Sequence, residues 1–97
     1  MERVVDSTIL RRRASEYVRR ASRGETIVVL FRGRPRAILR PYIPGERANK
    51  VTVSTFRRTM RSALRAARTR PVLLTWYEGE AAVVAPVPKG FMLGAKE

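Results

Sequence analysis

Residues 5–24 read VDSTILRRRASEYVRRASRG, and residues 51–70, which lie 46 positions further along the chain, read VTVSTFRRTMRSALRAARTR. In both stretches apolar residues recur at the spacing i, i+4, i+7, i+8 and i+11, which is typical of one face of an α-helix. They are Leu10, Ala14, Tyr17, Val18 and Ala21 in the first stretch, and Phe56, Met60, Ala63, Leu64 and Ala67 in the second. The chain therefore contains an internal repeat, and we predict helices over residues 9–23 and 55–69.

Residues that typically begin or end a helix flank both predicted helices. Thr8 and Ser54 are placed to cap the first-turn amides, although Ser7 and Asp6 compete with Thr8 for that role. Gly24 suits the position just beyond the end of the first helix, and Pro71 stops the second because it lacks an N–H.

Two apolar runs separated by a turn follow each helix, and a short apolar run precedes it. The predicted strands are residues 3–5, 26–31 and 37–39 in the first half, and residues 51–53, 72–77 and 81–85 in the second. The offset of 46 also places Gly33 on Gly79 in the hairpin turns. Each half is thus predicted to be a β-α-β-β unit, and so small a unit has too little core to stand alone. We expect an α+β fold in which two tandem units pack as an intramolecular pseudo-dimer.

The domain organisation follows from the repeat. The first unit spans residues 1–42 and the second spans residues 51–88. Residues 43–50 are interpreted as a linker, because they include Pro44 and Gly45 and show neither a helical nor a strand period. Residues 89–97 form a short tail.

The charge balance is strongly basic. The 97 residues include 21 Lys+Arg and 8 Asp+Glu, with no His and no Cys, so the formal net charge is +13. Without thiolate or imidazole, the commonest metal cages and nucleophilic sites are excluded, and we expect neither an enzyme nor a cofactor. A polyanion is the expected partner, since arginine pairs phosphates bidentately. The apolar runs are too short to span a membrane and the N-terminus lacks a signal peptide, so we expect a soluble, cytoplasmic protein.

The second predicted helix carries an uncompensated row of positive charge. Arg57, Arg61, Arg65 and Arg68 lie at i, i+4, i+8 and i+11, and residues 47–77 contain no Asp or Glu. Like charges at this spacing repel each other unless an anion neutralises them. The first half has a counterpart in Arg11, Arg12, Arg13, Arg19 and Arg20, although Glu16 reduces its net charge.

Several segments resemble the N-terminal domain of the Phd/YefM antitoxin family. In the first half they are Thr8 to Arg11, RGETIVV (23–29) and RGRPRAILRP (32–41); in the second they are VTVSTFR (51–57), LLT (73–75) and GEAAVV (79–84). The resemblance implies a shared sheet between two units, a helix-bearing basic surface on operator DNA and repression of transcription. It also implies DNA contact by Arg11 and Arg57, which match the arginine at the start of the family's first helix.

Two departures from the family pattern matter. The family's second DNA-contacting arginine is replaced by Phe31 in one copy and Trp76 in the other, so we expect its role to pass to Arg32, Arg34 and Arg36. Only the tail at residues 89–97 follows the second unit, and it is too short for the family's toxin-binding arm. DNA binding without toxin neutralisation is therefore the implied function.

We thus predict a sequence-specific, nucleoid-associated binder of double-stranded DNA that acts as a repressor or regulator. The predicted DNA-binding residues are Arg11, Arg12, Arg19, Arg32, Arg34, Arg36, Arg57, Arg58, Arg61, Arg65 and Arg68. The alternatives are an antitoxin or phage-type inhibitor that binds an acidic protein, and a non-specific architectural DNA-binding protein.

Three further features bear on partners. Arg34 and Arg36 flank the first hairpin turn whereas Glu78 and Glu80 flank the second, so we expect an asymmetric DNA site in which the first hairpin contributes more. The aromatic residues of the hairpins suit packing in the sheet core or at the seam between the units better than stacking on bases. The apolar run at 91–93 in the tail is compatible with covering the sheet, with self-association and with a protein partner.

Overall fold

The computed structural model describes residues 3–76 and 79–88, and each half of this part of the chain follows the order β-α-α-β-β. The first half consists of β1 (Arg3–Asp6), α1 (Ser7–Arg12), α2 (Ala14–Ser22), β2 (Ile27–Phe31) and β3 (Arg34–Pro41). The second consists of β4 (Asn49–Thr52), α3 (Val53–Arg58), α4 (Met60–Ala66), β5 (Val72–Trp76) and β6 (Gly79–Ala85). The tail at 89–97 and Glu78 lie outside the described residues.

The six strands form one mixed sheet in the order β1-β2-β3-β6-β5-β4. The outer pairs β1–β2 and β4–β5 are parallel, and all other neighbours are antiparallel. The two halves meet at β3 and β6, where residues 38–41 pair with residues 82–85. The prediction of an α+β fold is confirmed, and both halves contribute three strands to a shared sheet.

Each outer strand runs directly into a helix, and the last strand residue caps it. The Asp6 carboxylate accepts a hydrogen bond from the Thr8 N–H at 2.8 Å, and the Thr52 hydroxyl oxygen accepts one from the Thr55 N–H at 3.1 Å. Both caps satisfy amides that have no partner inside the helix. The prediction of Thr8 and Ser54 as caps was therefore wrong, and Asp6, the competitor in the first half, holds the position.

Each predicted long helix is two helices joined at a kink. The junction residues Arg13 and Thr59 have similar backbone angles, with φ −125° and ψ 36° at Arg13 and φ −114° and ψ 33° at Thr59. At the second kink the Thr59 hydroxyl donates to the Thr55 carbonyl oxygen at 2.7 Å, a bond that bends helices. Arg13 reaches a similar conformation without such a bond.

The two helix ends differ. Beyond α2, Gly24 has φ +116°, its N–H bonds to Ala21 O at 3.0 Å and the Glu25 N–H bonds to Arg20 O at 3.2 Å. This is a Schellman ending, so the prediction for Gly24 is confirmed. The second helix ends at Ala66, earlier than the predicted residue 69, and a turn leads to Pro71.

Equivalent residues of the two hairpins lie 45 positions apart in the sequence, rather than the 46 that separate equivalent helix residues. Phe31 pairs with Arg34, and Trp76 pairs with Gly79, because the second half has one residue fewer between its helix kink and its hairpin. The alignment of Gly33 with Gly79 was therefore wrong. β3 is also longer than the predicted 37–39, and β4 ends before Val53, which opens α3.

The helices cover one face of the sheet and enclose the larger core. Its fully buried large side chains include Leu10 and Val18 from the first half, Phe56 and Met60 from the second, and Leu39 and Leu74 from the sheet. A smaller cluster on the opposite face joins Leu73, Val83 and Ala85, with Tyr42 and Ala48 packed against it.

An ion pair holds the chain between β3 and β4 in place. Arg40 and Glu46 form two side-chain hydrogen bonds, at 2.8 and 3.0 Å, and the Glu46 carboxylate also accepts from the Ile43 N–H at 2.8 Å. The segment interpreted as a linker thus forms a tight loop, and β4 begins inside it at Asn49.

Candidate nucleic-acid interface

A groove of about 290 Å³ lies between the first hairpin and α4. It is lined by Phe31, Arg32 and Arg36 from the hairpin, and by Arg61, Leu64, Arg65 and Arg68 from α4 and the turn that follows it. The hairpin belongs to the first half of the chain and α4 to the second. The groove therefore exists only because the two halves pack together.

A second groove, of about 190 Å³, adjoins the first. Phe31, Arg61 and Leu64 line both, and α1 adds Ser7, Thr8 and Arg11 to the second. Together the two grooves form one surface with an apolar floor. We call its six arginines the arginine surface: Arg11, Arg32, Arg36, Arg61, Arg65 and Arg68.

The hairpin turn positions one of these arginines, Arg32. Arg32 and Gly33 both have positive φ, 54° and 79°, between the paired residues Phe31 and Arg34. This is the pattern of a type I′ turn, whose twist matches that of the strands. An arginine in the left-handed region is unusual, since its Cβ crowds the following carbonyl.

Phe31 supports both guanidinium groups beside it. The Arg32 guanidinium carbon lies 5.2 Å from the ring centroid and that of Arg36 lies 5.4 Å away. Arg36 occupies the position where the β2–β3 register shifts, between the pairs Val29–Ala37 and Leu30–Pro35. The half-buried ring thus helps hold two cations at the mouth of the groove.

None of the ion pairs in the described part of the chain involves the arginine surface. These pairs are Arg13–Glu16 at 2.8 Å, Arg20–Glu25 at 3.0 Å and Arg40–Glu46 at 2.8 Å. The hydrogen bonds that Arg20 donates to Glu25 and Arg40 donates to Glu46 raise the pKa of both arginines. Six guanidinium groups without a described acidic partner, arranged over an apolar floor, form a surface suited to a polyanion.

The other predicted DNA-binding arginines line neither groove. Arg12, Arg34 and Arg57 are exposed, and Arg58 donates to the Thr55 hydroxyl at 3.3 Å. The kink at Thr59 separates Arg57 from α4, so the predicted single row from Arg57 to Arg68 is interrupted. Arg19 lies over the Trp76 ring, with its guanidinium carbon 5.4 Å from the centroid.

Two contributors were missed by sequence reasoning. Phe31, interpreted as a residue of the sheet core or of the seam between the units, lines both grooves. Leu64, assigned to the core, is buried and also lines both grooves. A separate groove of about 310 Å³ is lined by Arg47, Arg70 and their neighbours at 48–49 and 71, neither arginine having been predicted as a site. Only the packing of distant segments reveals these positions.

Two other kinds of feature bear on function, metal sites and membrane-spanning helices. Within 3–76 and 79–88, no group of three or more His, Cys, Asp or Glu side chains could hold a metal ion. No helix in this part of the chain has the length and apolar character needed to cross a membrane.

Comparisons with models of protein families, with curated proteins and with solved structures found no match to this chain.

Proposed function

We propose that this protein binds double-stranded DNA through the arginine surface and acts as a repressor or regulator of transcription. The observation that carries the proposal is the convergence of six arginines from three separate segments, with no described acidic partner, around Phe31. Such a surface is complementary in charge to a phosphate backbone, which supplies much of the affinity of DNA-binding proteins.

We also propose that the two halves are tandem Phd/YefM-like units fused as a pseudo-dimer. The repeated β-α-α-β-β order and the antiparallel meeting of β3 with β6 support this interpretation. In the proposal, Arg11 and Arg57 retain the role that the resemblance implies, and the hairpin arginines replace the residue that the family carries at the position of Phe31.

The size of the molecule limits how much DNA it covers. Its longest dimension is 40 Å, which corresponds to about 12 base pairs at 3.4 Å each. One molecule therefore covers about one turn of duplex, and a probe of about 20 base pairs is long enough to contain a complete site.

The test is selection from a random duplex library followed by competition binding. We expect the selected duplex to bind at least about a thousandfold more tightly than a scrambled duplex, which is the usual lower bound for sequence-specific binding. Equal affinity for the two would favour a non-specific architectural role and overturn the regulator. Polyglutamate of matched charge serves as a control, and binding to it with no binding to duplex would favour an acidic protein partner.

A further inference from the structure

The arginine surface has a counterpart in the other half of the molecule, and the two differ in charge. Phe31 and Trp76 occupy equivalent positions, because each is the last residue of its hairpin's first strand and pairs across the turn. Phe31 faces α4, whereas Trp76 is approached by Arg19 of α2. In each case the hairpin of one half meets the second helix of the other half.

The side chains around Trp76 are far less basic. The helix offset of 46 places Ser15 and Ser22 where the arginine surface has Arg61 and Arg68. The hairpin offset of 45 places Ala81 where it has Arg36, at the same shift in register. Of the six positions of the arginine surface, only Arg65 and Arg11 have an arginine as their equivalent, Arg19 and Arg57, respectively.

Packing strengthens the contrast. Ala81 is buried and carries no charge, so among the described residues Arg19 is the one cation over the Trp76 ring, whereas two lie over the Phe31 ring. By comparison, Arg61, Arg65 and Arg68 are exposed and converge with Arg32 on one groove. Like charges held this close repel one another, and a bound anion relieves that repulsion.

We infer that the groove between the first hairpin and α4 is the principal phosphate-binding site, and that the protein therefore binds DNA asymmetrically. The inference rests on the proposed function. It assigns the main contact with the DNA backbone to the α4 arginines of the second half together with the hairpin arginines of the first. The duplex backbone enters this groove, while the Trp76 side makes weaker contacts. A protein with two fused units can thus read a site that has no two-fold symmetry.

Two double variants with equal loss of charge test the asymmetry. Arg61→Ala with Arg65→Ala removes two groove arginines, and Arg12→Ala with Arg19→Ala removes two exposed arginines from the helices of the other half. We expect the groove variant to lose at least about tenfold in affinity for duplex, and the slope of log K against log salt to become shallower by about 2. The variant at Arg12 and Arg19 should lose less than about threefold, because these arginines lie outside both grooves. An equal or larger loss in that variant would overturn the asymmetry.

The single tryptophan supplies a second measurement that does not depend on deleting arginines. In the natural chain, the emission of Trp76 reports DNA binding on the side with the weaker contacts. The exchange Phe31→Trp with Trp76→Phe moves the tryptophan to the groove. Saturating duplex should change the emission of the exchanged protein at least about twice as much as that of the natural one. A larger change at Trp76 would overturn the asymmetry.

The outcomes separate the two proposals. If the natural chain fails to bind duplex, both the proposed function and this inference are overturned. If it binds duplex and the two double variants lose affinity equally, the proposed function stands and only the asymmetric site is overturned. Circular dichroism of each variant confirms that a loss of binding is not a loss of fold.

Discussion

Leu39 lies directly opposite Val84 in the antiparallel pair β3–β6, and both side chains are fully buried. They are equivalent residues of the two hairpins, because Leu39 pairs with Ile27 on its other side and Val84 pairs with Val72. The halves are therefore joined at matching positions in one continuous sheet. If one hairpin unfolds, the other therefore loses the pairing between β3 and β6 and part of its buried core.

Leu39→Ala tests this coupling. Truncating a fully buried leucine removes apolar contacts and leaves a cavity, so we expect a loss of about 2–5 kcal/mol in the free energy of unfolding. Because both halves share the core, thermal unfolding should remain a single transition, with Tm lowered by roughly 10 °C or more. Ile43→Ala, at a side chain that is 58% exposed, is the control and should change stability by less than about 0.5 kcal/mol. Two separate transitions in calorimetry would contradict a shared core.

Arg32→Asn should make the protein more stable and a weaker DNA binder. Arg32 has φ 54°, and Asn-Gly is a favoured sequence for a type I′ turn, so we expect a gain of about 0.5–1 kcal/mol in urea unfolding. The same change removes a cation from the groove and should weaken duplex binding several-fold. Arg32→Lys keeps both the positive charge and the strained turn, and it should stay close to the natural protein in both measurements. Unchanged DNA affinity in Arg32→Asn would show that this arginine does not contact DNA.

The loop between β3 and β4 should make stability depend on pH. Hydrogen bonds from Arg40 hold the pKa of the Glu46 carboxyl below its ordinary value. A lowered folded-state pKa means that the pair stabilises the protein at neutral pH, and that this contribution disappears as pH falls through the folded-state pKa.

Glu46→Gln is the corresponding variant. At pH 7 we expect it to lower the free energy of unfolding by about 1–3 kcal/mol, because charge-assisted bonds to a mostly buried pair are removed. At about pH 3 the difference from the natural protein should shrink. Glu16→Gln breaks the exposed pair with Arg13 and should change stability by less than about 1 kcal/mol at either pH. A difference for Glu46→Gln that stays constant with pH would contradict the role of the ion pair.

The local features of the fold could be predicted from the sequence. The spacing from Leu10 to Ala21 indicates a buried helical face, and Gly24 marks the end of that helix because its φ is positive. The kinks at Arg13 and Thr59 could not be predicted, since the apolar spacing continues through them without a break. The ends of β3 escaped prediction because Arg34 and Arg40 interrupt its apolar pattern.

The abundance of arginine in the candidate site could be predicted from the sequence, whereas the arrangement of the arginines could not. An excess of arginine without nearby acidic residues is enough to indicate a polyanion as the partner. Arg36 and Arg65, however, come together across the boundary between the halves, and no spacing in the sequence measures such a contact. The change of offset from 46 to 45 also depends on the register of the paired strands.

The salt dependence of duplex binding by the natural protein tests the central claim most directly. If the six arginines of the arginine surface each neutralise one phosphate, the slope of log K against log salt should be about −5. Fluorescence anisotropy with a 20-base-pair duplex at several salt concentrations measures this slope. A slope near zero, or no binding at low salt, would contradict a function based on DNA phosphates.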